Sequence, residues 1–290
     1  MEIKKILSVF FSVMIGLSLS AGELKIKDGE SIAFLGDSIT FWGMTSPGGY
    51  IHLVISGLNE MGVKSKAIPA GVSGHKSTQM NSRVNNDVIR KKPTWMTLSC
   101  GVNDVWHGKN GVPLEQYKKE ITALLDKVDQ AGIKVMIFTA TMITEDPEHD
   151  LNKKLIPYNE WLRQIAKERN YLLADLNAAM QQTIKQKKQE NPGIKGNILT
   201  QDGVHMAFSG NKMMARGILQ AFGASEEDIQ RIEKQVWTKI PYQGYTVYFN
   251  EIEMESLQKS AAAQNTSIIN FIRSATMEKA DAVVKSGSKE

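Results

Sequence analysis

The sequence predicts an α/β fold: a three-layer, doubly wound parallel sheet of about five strands, followed by a C-terminal helical extension. Two observations predict it. Short apolar runs alternate with longer stretches of 3.6-residue periodicity, the signature of repeated strand–helix units. Several of the runs are also too continuously apolar to own a solvent face, as in a parallel sheet covered on both sides. With 290 residues, 42% of them apolar, the chain is long enough to bury such a core.

The elements follow in order. Lys4 and Lys5 precede an apolar run from Ile6 to Leu19, and Ser18 and Ser20 offer the small residues of a cleavage site. The run is shorter than the roughly 20 residues of a spanning helix, so residues 1–20 read as a signal peptide of an exported protein. Strands are expected over Ser31–Gly36, Val63–Ala70, Thr94–Cys100, Lys134–Ala140 and Tyr171–Asp175. The clearest helix carries Leu114, Tyr117, Ile121, Leu124, Leu125 and Val128 on one face, with Gly132 as its stop signal. Tyr50–Glu60, Thr78–Arg90, Ile156–Arg169 and Phe208–Phe222 fill the same role. The pattern changes after Phe222. A capped helix (Ser225–Trp237), a turn at residues 241–244, a β-prone run (Tyr245–Phe249) and two helices divided near Asn265 follow, and the polar residues 285–290 fray. The expected division is a signal peptide at 1–20, a main domain at 21–224 and an extension at 225–290.

Composition excludes several classes. Thirty-five basic against 31 acidic side chains leave +4, too small and scattered an excess to point to nucleic acid. Cys100 is the only cysteine, so no intrachain disulfide forms, and in its apolar run it reads as a small buried hydrophobe. No second Cys and no His pair at i, i+4 spell a zinc site.

Four short segments carry chemistry. Gly36-Asp37-Ser38 follows the first strand, where a serine at a strand-to-helix turn points into the crevice above the sheet; a plain helix cap would look the same. Gly71-Val72-Ser73-Gly74-His75 ends the second strand, and Gly101-Val102-Asn103-Asp104 ends the third. A glycine N–H and an Asn amide there are candidate donors to an oxyanion, or members of ordinary turns. In Asp202-Gly203-Val204-His205, three-residue spacing lets the carboxylate reach one imidazole nitrogen while the other faces outward.

Together, in this order, the segments resemble the four blocks of the SGNH-hydrolase (GDSL-type) esterases over about Ser31–Phe222. The resemblance implies a flavodoxin-like sheet and a serine esterase with no metal or organic cofactor. Its triad would be Ser38, His205 and Asp202, and its oxyanion hole the N–H of Ser38, the N–H of Gly74 and the amide of Asn103. His75 stands where the family often has an acidic residue. Gly-x-Ser-x-Gly is not met at residues 71–75, since position 75 is histidine. A metal-dependent phosphoesterase reading of Asp37, Asp104, His75, His107 and Asn103 lacks Asp-x-His at the first strand and a late His-x-His.

Export sets the substrate expectation: relatives outside the cytoplasm remove acetyl groups from polysaccharides, so an acylated carbohydrate is expected. Lipid or thioester hydrolysis by the same triad, and a non-catalytic carbohydrate-binding module, are the alternatives. Trp42, Tyr50, Trp106 and His107 lie near the Ser38 and Asn103 blocks, where they would either face a sugar ring or pack in the core and rim. The tail resembles a ribbon-helix-helix fold, which implies a homodimer; its 5 basic and 6 acidic side chains over residues 245–290 argue against DNA. A helical hairpin packed on the main domain is the alternative.

Overall fold

The computed structural model describes residues 24–241 and 249–287, which fall in two compact units divided between Tyr242 and Gln243. The expected signal peptide, most of the β-prone run at 245–249, and residues 288–290 lie outside the described residues.

The first unit is built on five parallel strands: β1 (Ser31–Gly36), β2 (Lys66–Gly71), β3 (Trp95–Ser99), β4 (Lys134–Phe138) and β5 (Leu172–Ala174), in the order β2-β1-β3-β4-β5. Its helices are α1 (Ser38–Thr45), α2 (Tyr50–Glu60), α3 (Ser77–Asp87), α4 (Val102–Trp106), α5 (Leu114–Gln130), α6 (Asp150–Glu168), α7 (Leu176–Glu190), α8 (Phe208–Ala221) and α9 (Glu226–Gln235). The chain steps one way from β1 to β2 and the other way from β3 to β5. Right-handed crossovers therefore put α2 on one face and α3, α5 and α6 on the other. Helix α8 packs beside α2 and α7. The middle of the sheet is dry: Phe34, Leu35, Met96, Leu98, Met136 and Ile137 are fully buried. Strand order reverses between β1 and β3, which opens a crevice at their carboxyl ends, and the Ser38 and Asn103 blocks sit there.

The strands fall where the apolar runs predict, with one shift. Val63 is buried but belongs to the turn after α2, its N–H donating to Leu58, so β2 starts at Lys66. Helix α6 begins at Asp150, well before Ile156, and carries Pro157 inside it. Helix α7 has no counterpart in the sequence reading. Helix α9, assigned by its pattern to the extension, packs in the first unit through Ile229 and Ile232; beyond it Trp237 is buried, and its indole N–H donates to the Leu53 carbonyl at 3.0 Å.

The second unit contains α10 (Glu251–Ala263) and α11 (Ile268–Gly287). A reciprocal capping box opens α10: Asn250 Oδ1 accepts from the Glu253 N–H, and Glu253 accepts from the Asn250 N–H, both at 2.9 Å. Ala261 is its buried contact, while Ile252 and Ile269 stand about four-fifths exposed at 80% and 77%.

Candidate active site

Asp37 is the N-cap of α1; its Oδ1 accepts from the Ile39 N–H at 2.9 Å. That cap makes Ser38 the first helical residue, directly at the carboxyl end of β1. The Ser38 hydroxyl lies 2.9 Å from Nε2 of His205, and His205 Nδ1 lies 2.6 Å from Oδ2 of Asp202. The other Asp202 oxygen accepts from the N–H of Val204 (3.0 Å) and of His205 (2.8 Å). Partial burial pulls the Asp202 carboxyl up, but the hydrogen bonds from the His205 ring and from the two backbone N–H groups prevail and lower it to about 2. A carboxylate held ionised at Nδ1 fixes the tautomer with a free lone pair on Nε2, facing the serine hydroxyl.

The loop bearing Asp202 and His205 is braced by residues that the sequence reading does not single out. Glu145 is buried, and its two oxygens accept from the N–H groups of Ile198, Leu199 and Thr200 and from the Thr200 hydroxyl, all at 2.6–2.7 Å. Thr200 Oγ1 in turn accepts from the Gly203 N–H at 3.1 Å. Thr144, left-handed at φ 69° despite its β-branch, donates its N–H to the Gly203 carbonyl at 2.8 Å. Asn152 clamps that turn, accepting from Ile143 and donating to the carbonyls of Thr144 and Asp146. Nothing in the polar run around Glu145 distinguishes it, by sequence, from an exposed turn.

The Gly74 and Asn103 segments are tied together. Asn103 Nδ2 donates to the His75 carbonyl at 3.2 Å and to Asp37 Oδ2 at 3.3 Å, and Asp104 accepts from both the N–H and the hydroxyl of Ser77. The two Asn103 bonds are long, and an oxyanion at this point would compete with them. Gly71 and Gly74 answer to different constraints. A Cβ on Gly71 would lie 2.4 Å from the Phe41 N, because the end of β2 runs against α1. Gly74 instead turns through φ +76° in an exposed loop, with open space where a Cβ would stand.

The aromatic and histidine candidates separate. Trp42 is half exposed (52%) and lines a cleft with Asp202 and His205. Trp106 is also exposed, but it and His107 do not line that cleft; His107 Nε2 lies 3.1 Å from Asn103 Oδ1. Tyr50 is core: it is fully buried, and its hydroxyl donates to Thr40. Cys100 is buried too, its thiol pushed up by burial and by neighbouring Asp104. Among the described residues, no three His, Cys, Asp or Glu side chains converge as a metal cage, and no helix is long and apolar enough to cross a membrane.

Asp37 gives a testable electrostatic consequence. Burial, with Asp104 nearby, raises its carboxyl to about 6, against the opposing Ile39 N–H and His205. A carboxyl raised in the folded state is bound to a proton there while the unfolded chain has lost its own. The stability it contributes is therefore greatest below pH 4 and falls as pH rises through 6, by on the order of 3 kcal/mol. Asp202, being lowered, works the other way: its contribution is present above pH 4 and is lost toward pH 2. Asp37→Asn keeps the helix cap, so relative to the parent it is expected to gain stability between pH 4.5 and pH 7.5 in urea titrations. A parent-to-variant difference that stays constant over that range would show that Asp37 does not titrate as described.

The sequence model of the GDSL-like lipase/acylhydrolase family matches residues 34–213. An acetylxylan esterase of Geobacillus stearothermophilus is 27% identical over 221 residues, spanning 69% of this chain and 97% of that protein. Among solved structures, an acetyl xylan esterase, AlAXEase, is similar with TM-score 0.61 at 31% identity, covering 66% of this chain and 98% of its own. The Geobacillus stearothermophilus acetylxylan esterase Axe2 gives TM-score 0.62 at 25% identity, covering 70% and 98%. Catalytic mutants of Axe2 replace a serine, an aspartate and a histidine.

Proposed function

Since the chain belongs to the GDSL-like lipase/acylhydrolase family and is a carboxylic ester hydrolase, we propose that it removes acetyl groups from carbohydrates by a Ser38–His205–Asp202 mechanism. The observation that carries the mechanism is the continuous relay, 2.9 Å then 2.6 Å, from the Ser38 hydroxyl to the Asp202 carboxylate. His205 Nε2 takes the Ser38 proton as Oγ attacks the ester carbonyl carbon. The carbonyl oxygen becomes an oxyanion held by the N–H groups of Ser38 and Gly74 and by the Asn103 amide. As this intermediate collapses, His205 returns the proton to the departing sugar oxygen, and an acetyl group remains on Ser38. Water, deprotonated by the same imidazole, then attacks the acetyl carbon; acetate leaves as the bond to Ser38 Oγ breaks and that oxygen takes the proton back from His205. The acid–base and oxyanion-holding groups in every step are this chain's own, with water as the second nucleophile.

The substrate reading rests on the acetylxylan esterases among the relatives. Acetate release from acetylated xylooligosaccharides, measured beside aryl esters of increasing acyl length, tests it. Acetyl esters are expected to turn over fastest. A preference rising with chain length would replace it with a lipase- or thioesterase-type activity.

Residues 1–20 serve as an export signal in this reading, after whose removal the enzyme acts in the periplasm or outside the cell; Lys4, Lys5 and the apolar run support it. The second unit joins two copies. Its support is that Ile252 on α10 and Ile269 and Met277 on α11 stand exposed to solvent. Deleting residues 243–290 is expected to convert a dimer to a monomer in light scattering while aryl-ester turnover stays unchanged. A monomeric full-length protein would end the dimer assignment.

A further inference from the structure

We propose that the cleft between α1 and the Asp202–His205 loop is a subsite for a neutral pyranose ring on the alcohol side of the scissile ester, with Trp42 as its stacking platform. The proposal rests on the carbohydrate-esterase reading above and adds where, and by which residues, the sugar is held.

The cleft has a volume of about 400 Å³, and Trp42, Ser46, Gln201, Asp202, His205 and Asn211 line it. Its side relative to the reacting bond follows from proton bookkeeping. The imidazole that deprotonates Ser38 must later protonate the leaving oxygen, so the alcohol departs on the imidazole's side. Asp202 and His205 line this cleft, whereas Gly74 and Asn103, the proposed oxyanion donors, do not. The alcohol half of the ester therefore enters here.

The lining fits a sugar ring better than a hydrocarbon chain. A pyranose has an apolar face of C–H groups and a rim of hydroxyls, and it asks for one flat aromatic surface edged by hydrogen-bonding groups. Trp42 lies four residues after Ser38, one turn along α1, hence about 6 Å farther along the helix axis. A pyranose on the ester oxygen spans about that distance from the carbonyl carbon to its far edge. Its indole is half exposed and held edge-on by Phe41, ring centres 5.5 Å apart at 81°. At the rim, the Ser46 hydroxyl makes no hydrogen bond among the described residues, and the Gln201 amide makes only a 3.5 Å contact with the Met206 carbonyl. Asn211 is wall rather than ligand, since its amide already serves Tyr50, Met206 and Ala207. A fatty alcohol would need a continuous apolar channel, and Ser46, Gln201 and Asp202 interrupt this one.

The test compares two acetyl esters. Trp42→Ala is expected to raise KM for acetylated xylooligosaccharides by roughly 5- to 10-fold, as one aromatic contact supplies. It should leave kcat/KM for ethyl acetate, whose alcohol is too short to reach the indole, unchanged. Trp42→Phe should recover most of the loss. Equal losses on both esters would make Trp42 a structural residue, and no change on either would show that the sugar binds elsewhere. Both results overturn the subsite while leaving the esterase reading intact. A parent enzyme that cleaves ethyl acetate but releases no acetate from any oligosaccharide would sink the carbohydrate reading and the subsite with it.

Discussion

Ser38→Ala is expected to lose ester hydrolysis by on the order of 10⁶-fold in kcat, the loss typical of removing a nucleophile that works as one unit with its base. The fold should not notice. Among the described residues the only partner of the Ser38 hydroxyl is His205, and the cap that starts α1 belongs to Asp37, whose bond to the Ile39 N–H the substitution leaves in place. Urea midpoints of parent and variant should therefore coincide. Turnover of aryl acetate at a fixed enzyme concentration, with the midpoint as a control, decides the matter. Activity within tenfold of the parent would remove Ser38 as nucleophile. It would also reopen metal-assisted hydrolysis, which a chelator series would then test independently.

The second large effect is expected at Asn103. Replacing it with alanine should lower kcat by about 10²- to 10³-fold, equivalent to roughly 3–4 kcal/mol of barrier, with little change in KM. An oxyanion exists only after attack, so a donor to it acts on the transition state and hardly on substrate binding. Asn103 also donates to Asp37 and to the His75 carbonyl, so some loss of stability accompanies the change. Stopped-flow kinetics on folded variant separate the two effects. A KM that rises with kcat preserved would move Asn103 from charge stabilisation to substrate recognition.

The parts of this site that were legible in the sequence are those whose chemistry is local. Asp202 and His205 reach one another because they are three residues apart on one loop, and Asp37 caps the helix that begins with Ser38. The strands announced themselves in the same way, since β1, β3 and β4 are almost continuously apolar where the sheet is covered on both faces, while edge strand β2, with exposed Lys66 and Pro69, starts later than its apolar run predicts. What escaped depends on distant partners. Glu145 sits in a polar run, and only the fold brings it against residues 198–200. Helix α7 escaped for the opposite reason: its buried stripe is just Leu176, Asn177, Met180 and Ile184 among lysines and glutamines, too narrow to stand out. Pro157 concealed the true start of α6, because a proline is expected near a helix start and not in its third turn.

The relay joins residues 167 positions apart, and the brace on its loop adds contacts from Thr144 and Glu145. Such contacts are expected to form late, after the sheet between them has assembled. In the proposed mechanism Ser38 is until then an ordinary alcohol at neutral pH, with no base to activate it. An incompletely folded chain is thus expected to be chemically silent toward esters. The onset of turnover during refolding would time the docking of the last segment of the domain, independently of any spectroscopic probe of its strands and helices.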